Sequence, residues 1–408
     1  MWYTQPLFTY TPTKAMRFQS YFNTAVQLVT AYKGNIPLAH YLRNYFAQHK
    51  KHGSRDRKQI AHLCYCYYRL GKALQQLSAE ERIRAALFVC NASIADWAII
   101  FEAHWLANHN TALPERIAFL TTLYGFNTPQ IFPWQTSLSE GMPWQVFAQS
   151  HLVQPSLFLR IRPGKKNMVV EKLLASNIAY RELEDDCLVL ANTSQVDKIL
   201  VLDKEAVVQD YSSQQIASFL RLIKPTTAGA KQVTIWDCCA ASGGKSILAA
   251  DTLGNVQLTV SDIRASIISN LEKRFSAAGI TNYSSLVADI SLAPKTLHPK
   301  PFNLVICDAP CSGSGTWGRT PEQLYFFTED KIAAFARLQQ KIITNALPYV
   351  KEGGWFLYIT CSVFAQENEA AVSYILQQGY ALVKKEILAG YGQQADTMFA
   401  ALLQKKLG

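Results

Sequence analysis

The sequence predicts an α/β protein. Residues 209–408 read as a doubly wound, mostly parallel sheet, preceded by a small α+β unit at 146–208 and an all-helical region at 1–145. Three observations predict this. Apolar runs alternate with helical segments through the second half, which is the pattern of strands joined by crossover helices. Helical periodicity fills the first third. Between them, Gly125, Pro129, Pro133, Gly141, Pro143 and Pro155 punctuate a boundary. At about 150 residues per domain, 408 residues suit two or three domains, each able to bury a core.

In the helical region, Ile60, Leu63, Cys64 and Tyr67 follow the i, i+3, i+4, i+7 rule, with Ser54 as the expected N-cap. Ser78 and Glu81 form a capping box ahead of IRAALFVC. In the small unit, strands are expected at Ser156–Arg162, Ala179–Leu183 and Cys187–Leu190, with a helix at Asn167–Ala175. The later strands are expected at Val233–Cys238, Val256–Ser261, Ser285–Ala288, Phe302–Cys307 and Trp355–Thr360.

Composition excludes several classes. Hydrophobic residues make up 49% and charged residues 17%, so disorder is not the main character. Against so few charges, a net +10 is a strong bias and points to a polyanion partner. No stretch approaches the ~18 apolar residues of a membrane span. The opening MWYTQPLFTYTPTK lacks the pattern of a secretory signal. Nine cysteines in no repeating frame fit a reducing cytoplasm better than a disulfide scaffold. Metal readings fail as well. His62, Cys64 and Cys66 find no second pair to complete four ligands, and the CxxxC of Cys307 and Cys311 would place its third iron–sulfur ligand at Ser314. No metal is expected.

The chemistry begins at Val233–Cys238, which runs into Cys239-Ala240-Ala241-Ser242-Gly243-Gly244-Lys245 and then a helix. A Gly-rich strand-to-helix turn lets a ligand approach the backbone, and the helix N-terminus favours a negative group. A phosphate-binding P-loop needs glycine where Cys239 stands, and GxGxxG is absent. What remains is a nucleoside ligand with a small anionic group, such as S-adenosylmethionine. Asp262, 19 residues after Gly243, ends the second strand where a carboxylate can bond ribose hydroxyls. Asp289 ends the third, where it could meet an adenine. The alternative is that both aspartates merely cap the following helices.

The fourth strand leads into Cys307-Asp308-Ala309-Pro310-Cys311-Ser312-Gly313-Ser314-Gly315, and the fifth into Thr360-Cys361-Ser362. Both cysteines and Asp308 therefore face one crevice beyond the carboxyl ends of the strands. Carbon 5 of a pyrimidine accepts a methyl group only after a thiolate adds at carbon 6, with an acid near nitrogen 3 offsetting the developing charge. Two cysteines and an acid suit that cycle.

WDCCAASGGK, DAPCSGSG and YITCS, in this order, resemble the Nop/Sun family of RNA cytosine-5 methyltransferases. The resemblance covers about Gln209 to Lys406, including VVQDYSSQQIASFL and Gln366-Glu367-Asn368-Glu369. It implies a Rossmann-like methyltransferase domain that uses S-adenosyl-L-methionine. It also implies Cys361 as nucleophile, Cys311 as the cysteine of product release and Asp308 as the acid. Cofactor contacts fall at Cys239 through Lys245 and at Asp262, Asp289 and Asp308. Residues 155–192 resemble the family's small RNA-binding subdomain. More loosely, GSRDRKQIAHLCYCYYRLG resembles the NusB-like helical domain of the bacterial ribosomal RNA enzymes. There are departures: Ser242 replaces the proline of CAAPGGK, Trp317–Glu322 differs from the usual Arg-Arg-Asn-Pro-Asp form, and Asp396-Thr397-Met398-Phe399 replaces Asp-Gly-Phe-Phe.

Arg43, His49, Lys50, Lys51, His52, Arg55, Arg57 and Lys58, interleaved with Tyr45 and Phe46, form a basic stretch suited to phosphate contact. Arg160, Arg162, Lys165 and Lys166 form a second. The expected partner is RNA, ribosomal RNA ahead of transfer RNA, with a flipped or single-stranded cytosine as target. The expected state is a cytoplasmic monomer that binds no membrane. The rival readings are a non-catalytic RNA-binding assembly factor and a DNA cytosine-5 methyltransferase, in which Cys361 would be dispensable.

Overall fold

The computed structural model describes residues 12–184, 186–223, 232–292 and 301–407. Most of the opening segment read above for a targeting signal lies outside them. The chain divides into two compact units. The first holds the residues up to Gln135 together with Pro143–Gln154 and Trp317–Phe327. The second holds Thr136–Met142, Pro155–Thr316 and Thr328–Gly408. A single boundary near residue 145 therefore does not separate them.

The first unit is helical, with principal helices at Pro12–Ala31, Leu38–Gln48, Ser54–Arg69, Ala79–Cys90 and Leu113–Tyr124. The Ser78 capping box forms as expected, with Ser78 Oγ accepting the Glu81 amide and Glu81 accepting the Ser78 amide. Ser54 does not cap its helix: Gly53 does, its amide donating to Asp56 at 2.8 Å, and Ser54 is the first helical residue. His62 donates to or accepts from Asn91 at 2.9 Å, which makes it part of the packing between helices. Trp317–Phe327 is built into this unit. Trp317 is buried among Phe132, Trp134 and Phe327, with ring centroids 4.7–5.9 Å apart. Leu38 donates its amide to buried Glu322, and Arg69 donates to the Gly318 carbonyl. The departures from the family pattern in this segment therefore include core residues of a helical unit.

The second unit contains two sheets. Strands β1 (Leu157–Ile161), β2 (Tyr180–Glu182), β3 (Cys187–Leu190) and β4 (Ala206–Val208) form an antiparallel sheet of order β2-β3-β1-β4. The large sheet contains β5 (Val233–Asp237), β6 (Val256–Asp262), β7 (Tyr283–Val287), β8 (Phe302–Asp308), β9 (Val350–Thr360), β10 (Tyr380–Ala389) and β11 (Thr397–Lys405). Its order is β10-β11-β9-β8-β5-β6-β7. Strands β5 to β9 are parallel, whereas β10 and β11 form an antiparallel hairpin against β9. The sequence does not announce β10 because it is an edge strand, largely exposed and charged at Lys384, Lys385 and Glu386.

Alternation along the strands builds a core on each face of this sheet. Ile235, Leu304 and Leu357 pack with Leu248 and Leu271 on one face. Trp236, Val305 and Phe356 pack with Ile343 and Ile375 on the other. Helices Gly244–Leu253 and Ala265–Ala278 cover the first face, and Asp330–Ala346 and Glu369–Gln377 the second. The strand order reverses between β5 and β8, and such switch points open a crevice beyond the carboxyl ends of the strands. Among the described residues, no helix is long and apolar enough to cross a membrane.

The small sheet is tied to the large one by a polar seam inside this unit. Arg160 of β1 and Arg162, the residue after it, both bind Asp251 of the helix Gly244–Leu253, at 2.6 and 2.8 Å. Arg160 is buried, and its Nε also donates to Gln209. These two arginines are internal structural cations, which corrects the expectation that they lie on an RNA-facing basic stretch.

Candidate active site

The crevice is built from loops that leave β5, β6, β8 and β9. At the end of β5, Asp237 is fully buried and accepts a hydrogen bond from Ser246 Oγ at 2.6 Å, while its Oδ1 has no protein partner. Burial pushes its carboxyl up to about 7. The loop then turns through Ala241 at φ 44° and Gly243 at φ 81° before entering the helix Gly244–Leu253. A Cβ on Gly243 would lie 2.8 Å from Phe275, so both the conformation and the space require glycine. The first turn of this helix presents backbone amides at the crevice. Lys245 reaches Asp308 at 3.1 Å and Ser213 Oγ at 2.8 Å.

Asp262 ends β6 and is buried. Its Oδ1 accepts the Arg264 amide at 3.0 Å and Arg264 Nε at 3.1 Å. Asp289 stands two residues beyond β7, which ends at Val287, so it follows the third strand instead of ending it. Its Oδ1 accepts from the Ser291 amide and hydroxyl at 2.9 and 2.6 Å. Both aspartates close local turns, the capping geometry weighed above, and both lie at the carboxyl edge of adjacent paired strands.

Cys311 and Cys361 come together. Their sulfurs are 3.2 Å apart, although 50 residues separate them in sequence. The contact with Cys361, followed by burial, pushes the Cys311 thiol well up, so Cys311 stays protonated and can donate to the neighbouring sulfur. Pairing of Asp308 with Ile359 in the β8–β9 register brings the two loops side by side.

A polar network fixes these loops; Glu367 and Asn368 lie in the Gln366–Glu369 stretch that shares the resemblance, which gave them no role. Glu367, fully buried, accepts the Ser312 amide at 2.8 Å, Gln339 Nε2 at 3.0 Å and the Ser362 hydroxyl at 2.7 Å. Burial raises its carboxyl above the usual range despite these bonds. Asn368 accepts from Thr360 Oγ1 and donates to Ser139 Oγ and the Ser362 carbonyl. Ser139 belongs to Thr136–Met142, the short stretch of the Pro- and Gly-punctuated boundary built into this unit. Gly315 donates its amide to the Cys361 carbonyl at 2.9 Å, and a Cβ there would sit 1.9 Å from the Thr397 carbonyl oxygen. Among the described residues, no group of three or more His, Cys, Asp or Glu side chains could hold a metal ion.

Residues 226–403 match the family model described as 16S rRNA methyltransferase RsmB/F. The matched segment carries the glycine loop and both cysteines. Over 233 residues the chain is 28% identical to a probable ribosomal RNA small subunit methyltransferase B from Bacillus subtilis, covering 56% of this chain and 51% of the relative. It is 30% identical over 212 residues to ribosomal RNA small subunit methyltransferase B from Xanthomonas campestris, covering 48% and 47%. The chain thus spans about half the length of these curated relatives. The fold is similar to the crystal structure of PH0851, with a TM-score of 0.68 and 21% identity over 97% of this chain and all of that one. It is also similar to NSun6 from Pyrococcus horikoshii with SFG, at a TM-score of 0.55 and 15% identity over 65% of this chain and 96% of that one.

The residues at the crevice fit S-adenosylmethionine. The glycine loop leaves room for a ligand against the backbone, the amides of the helix N-terminus suit its carboxylate, and the partnerless Asp237 Oδ1 suits its ammonium.

Proposed function

We propose that this protein transfers a methyl group from S-adenosylmethionine to carbon 5 of a cytosine in RNA, with ribosomal RNA as the substrate. The observation that carries the reading is the 3.2 Å approach of Cys311 and Cys361 at the carboxyl edge of the sheet, beside the Asp308–Lys245 pair. A single buried cysteine is ordinary packing. Two in contact at the switch-point crevice, held by a dedicated polar network, suit covalent catalysis.

In this reading Cys361, as thiolate, attacks carbon 6 of the cytosine and forms an S–C6 bond. The electron pair of the C5–C6 double bond moves to carbon 5, which becomes nucleophilic. Asp308, adjoining Lys245, is assigned to offset the charge that develops at the base's nitrogen 3. The cofactor would supply an electrophilic methyl group: carbon 5 forms the new C–CH3 bond as the sulfonium S–CH3 bond breaks, leaving S-adenosylhomocysteine. The proton on carbon 5 then leaves to a base, the C5–C6 double bond re-forms and the Cys361 sulfur is expelled. Cys311, a thiol in contact with Cys361, assists this release. The cofactor is held by the 239–245 loop, with Asp262 toward the ribose and Asp289 toward the adenine.

Bisulfite sequencing of total RNA from cells with and without the gene tests the proposal. Loss of protection at one cytosine supports it and names the substrate. Its site decides between ribosomal and transfer RNA. No loss at any RNA position overturns it in favour of a non-catalytic assembly factor or a DNA enzyme.

A further inference from the structure

The glycine loop carries serine where the family usually carries proline. Ser242 stands between two residues with left-handed backbone, Ala241 and Gly243. Proline would fix φ near −65°, and serine leaves it free. The constraint is supplied from outside the loop. From the helix Ala265–Ala278, Arg274 Nη1 donates to the Ser242 carbonyl at 2.7 Å and to its hydroxyl at 2.9 Å. The same guanidinium donates through Nε and Nη2 to the two carboxylate oxygens of Asp203, at 2.9 and 2.7 Å. Two such parallel bonds fix the plane of the fork as well as its position.

Asp203 is itself held. It occupies the turn before β4 at φ 64°, and its amide donates to the Ala206 carbonyl at 2.8 Å. Its carbonyl accepts from Arg162 Nη1, which also reaches the Ala278 carbonyl at 3.2 Å, at the end of the helix that carries Arg274. The Arg274 and Asp203 side chains are 19% and 13% exposed, which keeps the pair effective where surface pairs are screened. The small sheet is therefore tied to the one loop residue that departs from the family form.

We propose that Arg274, anchored by Asp203, is a positioning residue for the cofactor loop and takes the place of the missing proline. The proposal rests on the reading of residues 239–245 as the S-adenosylmethionine loop. Arg274 acts through Ser242: it holds the turn in the shape that presents the amides of Gly244 and Lys245, so that ligand binding does not have to order it.

Calorimetric titration of the full chain with S-adenosylhomocysteine tests this. R274L removes a charge-assisted anchor, and its affinity should fall about tenfold. Introducing S242P into R274L should recover the wild-type affinity. D203N should cause a smaller loss, because Arg274 keeps its bonds to Ser242. Equal affinity in R274L and wild type overturns the proposal, as does failure of S242P to recover binding in R274L. A purely structural role would lower the melting temperature of R274L and leave the second substitution without effect on affinity. Should R274L not fold, R274K keeps the cation without the planar fork and is held to the same two outcomes. A wild-type chain that binds no S-adenosylhomocysteine refutes the cofactor reading itself, before any variant is compared.

Discussion

Glu367 accepts the backbone amide of Ser312 at 2.8 Å, joining the loop of Cys361 to the loop of Cys311. The other carboxylate oxygen takes the Ser362 hydroxyl at 2.7 Å, so one buried side chain touches the residue after each cysteine. Removing it leaves several buried donors without an acceptor. E367A should reduce turnover roughly 10²-fold, the scale expected when reacting groups shift by about 1 Å. E367Q keeps one oxygen for Ser312 and Gln339 and should retain more activity. Equal single-turnover rates for wild type and E367A would falsify this role.

The two cysteines should separate by product. C361A should show neither methyl transfer nor covalent RNA. C311A should accumulate a protein–RNA adduct that survives a denaturing gel, since its defect lies after S–C6 bond formation. An adduct in C361A that is absent from C311A reverses the assignment.

Asp237 gives a pH dependence whose sign follows from its environment. Its folded carboxyl is raised to about 7 from an ordinary 3.8. The folded state therefore holds the proton more tightly than the unfolded chain. The resulting stabilisation is complete below about pH 4 and is lost as pH rises through about 7, by roughly 4 kcal/mol in total. D237N does not titrate. The melting temperature of D237N relative to wild type should rise between about pH 5 and about pH 8. A difference that stays flat across that range contradicts the assignment.

Gly315 has no room for a side chain beside the Thr397 carbonyl. G315A must move the Cys311 loop or β11, at a cost of at least about 1–3 kcal/mol. Denaturant unfolding should show a lower midpoint than wild type. An unchanged midpoint would mean that the backbone there gives way more easily than its packing implies.

On the helical unit, Arg43, Lys50, Lys51, Arg55, Arg57 and Lys58 are exposed, while His52 is buried under Tyr45 and Phe46. Only the exposed cations can meet phosphate. K50E/K51E should weaken RNA binding and reduce the slope of log affinity against log salt by about one per lost phosphate contact. An identical slope in the variant argues that this face is simply solvated.

Much of this was written in local chemistry. The Ser78 capping box, the strand runs ending at Asp237, Asp262 and Asp308, and the loops of Gly243, Cys311 and Cys361 were legible because each depends on neighbours within a few residues. The topology rule that ligands bind beyond strand ends was enough to assign both cysteines to one crevice. What stayed hidden involved distant partners. Arg160 and Arg162 read as surface charge because Asp251, which neutralises them, lies some 90 residues on. Trp317–Glu322 read only as a departure from the family pattern, yet Trp317 packs into a helical core with Phe132 and Phe327.

The sequence by itself therefore determined most of the elements, the reaction class its motifs resemble and which residues are candidates for the reactive groups. Tertiary structure decided which reactive groups touch and what holds them. Glu367, Gln339, Arg274 and Asp203 are ordinary polar residues in the sequence, and they gain their roles only when folding buries them opposite a loop amide, a hydroxyl or a fixed charge. Periodicity and turn chemistry are short-range and can be read in order along a chain. Hydrogen-bond partnership across a fold is a matter of position in space, and no local pattern records it.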